Sequence, residues 1–124
     1  MKFKIDTKEK IVVFTPQETV LDANLSDAFV EIITHLKELK ERNLILDMQL
    51  VKEMSPETVK AILTVYQRLY DNSHSCAITH LNSSLTQILK EAGDDMLNIA
   101  PTLSEAIDLI MMEELERELM RDEE

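Results

Sequence analysis

A chain of 124 residues, 44% of them hydrophobic, is the size of one compact domain with a true core, and no stretch nears the ~18 apolar residues of a membrane span. The formal net charge of −11 excludes a general phosphate-backbone binder, which needs clustered Lys and Arg, so neither nucleic acid nor membrane is an expected partner. A single glycine, Gly93, rules out G-x-G-x-x-G, Walker-type and G-x-S-x-G loops, so no Gly-rich phosphate cradle can form.

Residues 2–6, KFKID, alternate polar and apolar side chains, as a half-buried strand does. Residues 10–15, KIVVFT, are rich in β-branched residues and read as a more central strand. The short TKE between them makes a hairpin, and Pro16 ends the second strand or places it at an edge. Residues 17–25 connect to a helix capped by Ser26, with Leu25 as a staple residue. Leu25, Phe29, Ile32, Ile33, Leu36 and Leu39 recur at three- and four-residue spacing and share one face. Lys37, Lys40 and Arg42 suit the C-terminal end of that helix, and Asn43 is its expected terminator.

LILDM, 44–48, is a continuous apolar run closed by an acid, the pattern of a strand buried on both faces of a parallel sheet. A second helix runs from about Pro56 to Tyr70 and buries Val59, Ile62, Leu63, Tyr66 and Leu69, with Asn72 at its end. Cys76–Thr79 read as another short strand. Residues 83–91, SSLTQILKE, form a short amphipathic helix capped by Ser83 and Ser84 and ended by Gly93 in a left-handed C′ conformation. Residues 96–100, MLNIA, make a last short strand. Thr102 and Glu105 form a capping box, T-L-S-E, for a final helix with the core stripe Leu103, Ala106, Ile107, Ile110 and Leu115. The order ββαβαβαβα predicts an α/β fold with a mixed, mostly parallel sheet of about 4–5 strands, about four helices and an antiparallel hairpin at the start.

Few residues bear chemistry. One cysteine, Cys76, cannot form an internal disulfide, and MKFKIDTKEK lacks the long apolar stretch of a secretory signal, so a cytoplasmic location is expected. His35, His74 and His80 lack metal-ligand spacing, so neither a metal nor another cofactor is expected. Asp94–Asp95 read as a turn. Asp47 ends a buried strand, where α/β folds place functional groups. Residues 113–124, EELERELMRDEE, hold seven acids and two arginines and read as an acidic C-terminal extension beyond a domain of residues 1–112. The apolar stripe of the last helix continues through Leu115 to Leu119. Met111, Met112 and Met120 add a soft contact surface, which suits a homodimer or a protein partner, while the acids of 113–124 suit a basic partner.

The segment NLILDMQLVKEMSPETVKAIL, 43–63, resembles the ILDLS-x-V-x-F-[MI]-DSSG-x-x-x-L segment of the STAS domain family, the anti-sigma-factor antagonist fold. Leu46 and Asp47 fit its Leu-Asp, Val51 its Val, and Ala61, Ile62 and Leu63 its apolar helix start. NIAPTLSEAIDLI, 98–110, is similar to the family's last strand, proline turn and final helix. The resemblance covers nearly the whole chain. It implies a STAS-like fold and a non-enzymatic interaction module in signal transduction and transcription regulation. Its implied partners are an anti-sigma factor, a serine kinase of that type, or another STAS protein.

In the family, a partner kinase phosphorylates the first Ser of Asp-Ser-Ser-Gly. Without gaps, those four positions fall on Ser55-Pro56-Glu57-Thr58, and the acceptor position is Pro56. Proline has neither a hydroxyl nor a backbone N–H. No phosphoacceptor is therefore expected at that position, which leaves Ser55 and Thr58 as the neighbouring candidates. The expected partner-binding residues are Asp47, Ser55, Pro56, Glu57, Thr58 and Lys60. The same residues make a good helix start: Ser55 caps, Pro56 suits the first position, and Glu57 puts an acid in the first turn. Two other classes stay open: a small-ligand-binding or enzymatic domain using Asp47, Ser55 and Glu57, and a self-associating structural subunit.

Overall fold

The computed structural model describes residues 1–122. The chain opens with β1 (Phe3–Thr7) and β2 (Ile11–Pro16), an antiparallel hairpin in which Phe3 pairs with Pro16 and Thr7 with Val12. Arg42 braces its turn, donating from Nε to the carbonyls of Lys8 at 3.0 Å and Glu9 at 3.2 Å. A two-residue strand, β3 (Val20–Leu21), leads into α1 (Ala23–Thr34) and a 3-10 turn, Lys37–Leu39. Then come β4 (Asn43–Asp47), β5 (Glu53–Met54), α2 (Pro56–Asp71), β6 (Cys76–Thr79), α3 (Ser83–Ala92), β7 (Ile99–Ala100) and α4 (Leu103–Asp122). The main sheet has the order β1-β2-β4-β6-β7 and is parallel from β2 onward. β3 and β5 pair in parallel as a separate sheet. The expected α/β architecture is present: a mixed, mostly parallel five-stranded sheet with four helices.

Side-chain alternation along the strands feeds two layers. Phe14, Leu44, Leu46, Cys76 and Ile78 pack with Phe29 and Ile33 of α1, Ile62, Val65 and Leu69 of α2, and Leu85 and Leu89 of α3. Ile11, Val13, Ile45, Ala77 and Ala100 form the other cluster, with Ala106 and Ile110 of α4. All five residues of β4 are buried, as a central parallel strand requires. One polar atom is left over: Thr79 Oγ1 is buried without a hydrogen-bond partner among the described residues. An orphaned hydroxyl costs on the order of 1 kcal/mol or more. Thr79→Val keeps the shape and removes the orphan. It should raise stability by about 1 kcal/mol, seen as a higher urea midpoint at constant slope.

Several local expectations are corrected. α1 is capped by Asp22, whose Oδ1 accepts from Leu25 N at 3.1 Å, and not by Ser26. Leu21 is locked into β3, so Asp22 is the first residue free to begin the helix; Ser26 is buried one turn in and donates to Ala23 O at 2.7 Å. The helix ends at Thr34, and Leu36 and Leu39 flank or occupy the 3-10 turn. Asn43 does not terminate a helix. It is the buried first residue of β4, and its Oδ1 accepts from Ser75 N at 2.7 Å. Asn82, not Ser83 or Ser84, caps α3 through Leu85 N at 2.8 Å. Gly93 has φ −96°, so it is not left-handed. It is required because a Cβ there would come within 2.7 Å of Leu97 Cγ. The left-handed residues are Asp94 and Asp95, which make the turn. Met96 is exposed, and the last strand shrinks to Ile99–Ala100. Tyr66 is only partly buried, and Leu115 is 56% exposed, so neither belongs to the core proper.

Candidate functional site

Parallel strands β4 and β6 end side by side, with Asp47 opposite Thr79. One residue further, His80 adopts φ 60°, a left-handed conformation in which His is enriched among non-glycine residues. That turn brings its Nδ1 to 2.9 Å from Asp47 Oδ1. Asp47 is 5% exposed, and Gln49 fixes its carboxylate from both sides. Gln49 N donates to Oδ1 at 3.2 Å and Gln49 Nε2 to Oδ2 at 3.0 Å. A carboxylate offers only acceptors, so Nδ1 carries a proton, and in the neutral ring the lone pair is on Nε2. His80 lines an open cleft of about 480 Å³ together with Gln49, Val51, Lys52, Leu81 and Asn82.

The start of α2 is a hydrogen-bonded clamp. Thr58 N donates to Ser55 Oγ at 3.1 Å, which makes Ser55 the N-cap. Thr58 Oγ1 donates its one proton across the fold to Leu21 O at 2.9 Å, beside the start of α1. The 3.1 Å contact between the two hydroxyls is therefore donated by Ser55. Ser55 N donates to Leu21 O, and β3–β5 pairing ties the preceding loop to the same place. Thr58 is 1% exposed, so its expected place on a contact surface is corrected: its hydroxyl belongs to the interior. Asp47 is likewise buried. Pro56, Glu57 and Lys60 are exposed, and Ser55 is partly so. Leu50, on the loop before β5, is an exposed apolar residue beside them in sequence.

A second polar cluster joins α2, β7 and α4. Tyr70 donates to Glu113 Oε1 at 2.6 Å, and Asn98 Nδ2 donates to Glu113 Oε2 at 3.0 Å. Asn98 N donates to Tyr66 Oη at 2.9 Å. These groups line a cleft of about 590 Å³, but both Glu113 oxygens are already occupied, so the cluster reads as a brace. Burial raises the Glu113 carboxyl, and hydrogen bonds from Ser75, Tyr70 and Asn98 with the Arg117 charge more than offset it, leaving it below the ordinary range. Burial, then the bonds to Glu113 and Tyr66, push the Tyr70 phenol strongly up. Burial also drives the Cys76 thiol up, which makes it inert as a nucleophile. Sequence reasoning missed this cluster and the His80–Asp47 pair. The available signals were Tyr66 and Tyr70 at four-residue spacing, and His80 directly after a strand that neighbours Asp47.

The STAS domain family model matches residues 2–106. The chain belongs to the STAS domain family. Solved relatives share the fold at low identity. A candidate anti-sigma factor antagonist from Thermotoga maritima has a TM-score of 0.77 at 15% identity, over 88% of this chain and 94% of that one. An anti-sigma factor antagonist from Mycobacterium paratuberculosis gives 0.76 at 14%, over 89% and 93%. The phosphorylated Bacillus cell fate determinant SpoIIAA gives 0.66 at 16%, over 88% and 99%. No curated protein matches the sequence. In this STAS domain, no described helix is long and apolar enough to cross a membrane, and no three described His, Cys, Asp or Glu side chains meet as metal ligands.

Proposed function

We propose that this STAS domain is a non-enzymatic, cytoplasmic interaction module of the anti-sigma-factor-antagonist type. Its docking face is the loop before β5 with the exposed first turns of α2: Leu50, Ser55, Pro56, Glu57 and Lys60. Asp47 and Thr58 shape that face from beneath. The partner is an anti-sigma factor or a serine kinase of that type, and phosphorylation at the usual loop position does not switch the contact. The clamp carries this reading: Pro56 has no hydroxyl, the Ser55 hydroxyl is spent in capping α2 and on Thr58 Oγ1, and the Thr58 hydroxyl is spent in holding α2 to Leu21 of β3. Leu50, 45% exposed, supplies the apolar anchor that a docking face needs at its centre.

Two measurements test it. With cognate kinase and ATP, mass spectrometry of residues 52–60 should find no phosphate, and stoichiometric phosphate on Ser55 or Thr58 defeats the reading. The double variant Leu50→Asp, Lys60→Glu should weaken binding to the purified partner by about tenfold or more, at an unchanged melting temperature. Undiminished binding by that variant places the docking face elsewhere.

A further inference from the structure

We propose that His80 Nε2 is a phosphoryl acceptor, because Asp47 holds Nδ1 at 2.9 Å, which leaves Nε2 as the free ring nitrogen of a residue that lines an open cleft with Lys52. Three features of the site converge on this. The Asp47 carboxylate is buried and pinned by two bonds from Gln49, so it orients the ring and fixes which nitrogen carries the proton. The left-handed backbone at His80 is a rare conformation, held here where the ring meets Asp47. The cleft wall supplies groups that suit a phosphoryl dianion. Lys52 has no ion-pair partner among the described residues, and Asn82 is the N-cap of α3, which puts the positive end of that helix at the cleft. Asn82 Nδ2 also donates to Lys52 O at 3.1 Å, which joins the two walls.

The donor belongs to the phosphoramidate class, such as a phosphohistidine on another protein. The Nε2 lone pair attacks phosphorus of the nitrogen-protonated donor, the P–N bond breaks with its electron pair going to the donor nitrogen, and the donor leaves as a neutral amine or imidazole. His80 then carries the phosphoryl group on Nε2 and keeps its Nδ1 proton toward Asp47. With the Nδ1 proton kept, the product is a phosphoryl dianion on an imidazolium ring and adds a net charge of about −1 to the cleft, whose Gln49, Val51 and Lys52 belong to the proposed docking loop. The transfer chemistry stands without any docking partner; only its effect on docking rests on the reading above.

Potassium phosphoramidate at about pH 8, above the ordinary imidazole range, is the probe for the full chain. Acid-labile phosphate should accumulate at His80, at least about tenfold faster than at His35 and His74, and as the Nε2 isomer by NMR. Equal labelling of the three histidines, or an Nδ1 product at His80, overturns the proposal, and this comparison needs no variant. His80→Asn, whose side chain tolerates the left-handed backbone, should lose the fast phase. Asp47→Asn should slow it by about tenfold and mix the two isomers, a change that a merely structural role would not cause. If labelling fails while the Leu50, Lys60 variant still loses its partner, the phosphoryl site is refuted and the docking face stands.

Discussion

Glu113→Ala should lower the unfolding free energy by about 2–3 kcal/mol, the largest effect expected from any single polar side chain on α4. The variant removes the acceptor for Tyr70 at 2.6 Å and for Asn98 Nδ2 at 3.0 Å. Hydrogen bonds to a charged group contribute about 1.5–3 kcal/mol each, and the partial exposure of Glu113 discounts their sum. The pH dependence carries the same signature. The Glu113 carboxyl lies below its ordinary range, so its contribution is complete above the unfolded value of about 4.3 and is lost as pH falls through the folded value. The Tyr70 phenol is raised, so its contribution is complete below the unfolded value of about 10 and is lost as pH climbs beyond that. Urea unfolding of the wild type should therefore weaken at both ends, and Glu113→Ala should flatten the acid arm and reduce the alkaline one, which the burial of Tyr70 sustains in part. A variant within about 0.5 kcal/mol of wild type, with both arms intact, would remove the brace from the stability of this fold.

Long periodic segments were legible because burial and period agree in them. KIVVFT, LILDM and the run from Pro56 became β2, β4 and α2 close to their expected limits. Ser55 and Pro56 take their expected cap and first-turn positions, since capping is local chemistry. Features made by distant chain segments were not legible. β3 and β5 are two residues each, too short for any period, yet their pairing moves the α1 cap from Ser26 to Asp22. Asn43 looked like a helix end because an amide often sits there, but its side chain bridges β4 to Ser75 and Arg117 instead. His80 and Asp47 lie 33 residues apart, and only the parallel register of β4 and β6 brings them together.

Thr58→Glu should cost about 4 kcal/mol or more, a large share of the ~5–15 kcal/mol that holds a typical domain together. Thr58 is 1% exposed, and its Oγ1 is already committed to Leu21 O and in contact with Asp22 O at 3.2 Å. A carboxylate there faces two carbonyl oxygens, with the Ser55 hydroxyl as the one side-chain donor beside it. Ser55→Asp, three residues earlier, should stay within about 1 kcal/mol of wild type, since Asp caps helices as well as Ser does. The two variants add the same charge to the same turn, so their difference isolates burial. It also bears on modification: a kinase can reach Thr58 only after α2 has come away from β3, whereas Ser55 needs only the loss of its cap. Near-equal stability of the two variants in urea unfolding would mean that the clamp opens easily and that Thr58 is within reach of an enzyme. The expected gap means instead that the clamp keeps the loop in one conformation, with Glu57 and Lys60 presented the same way to every partner.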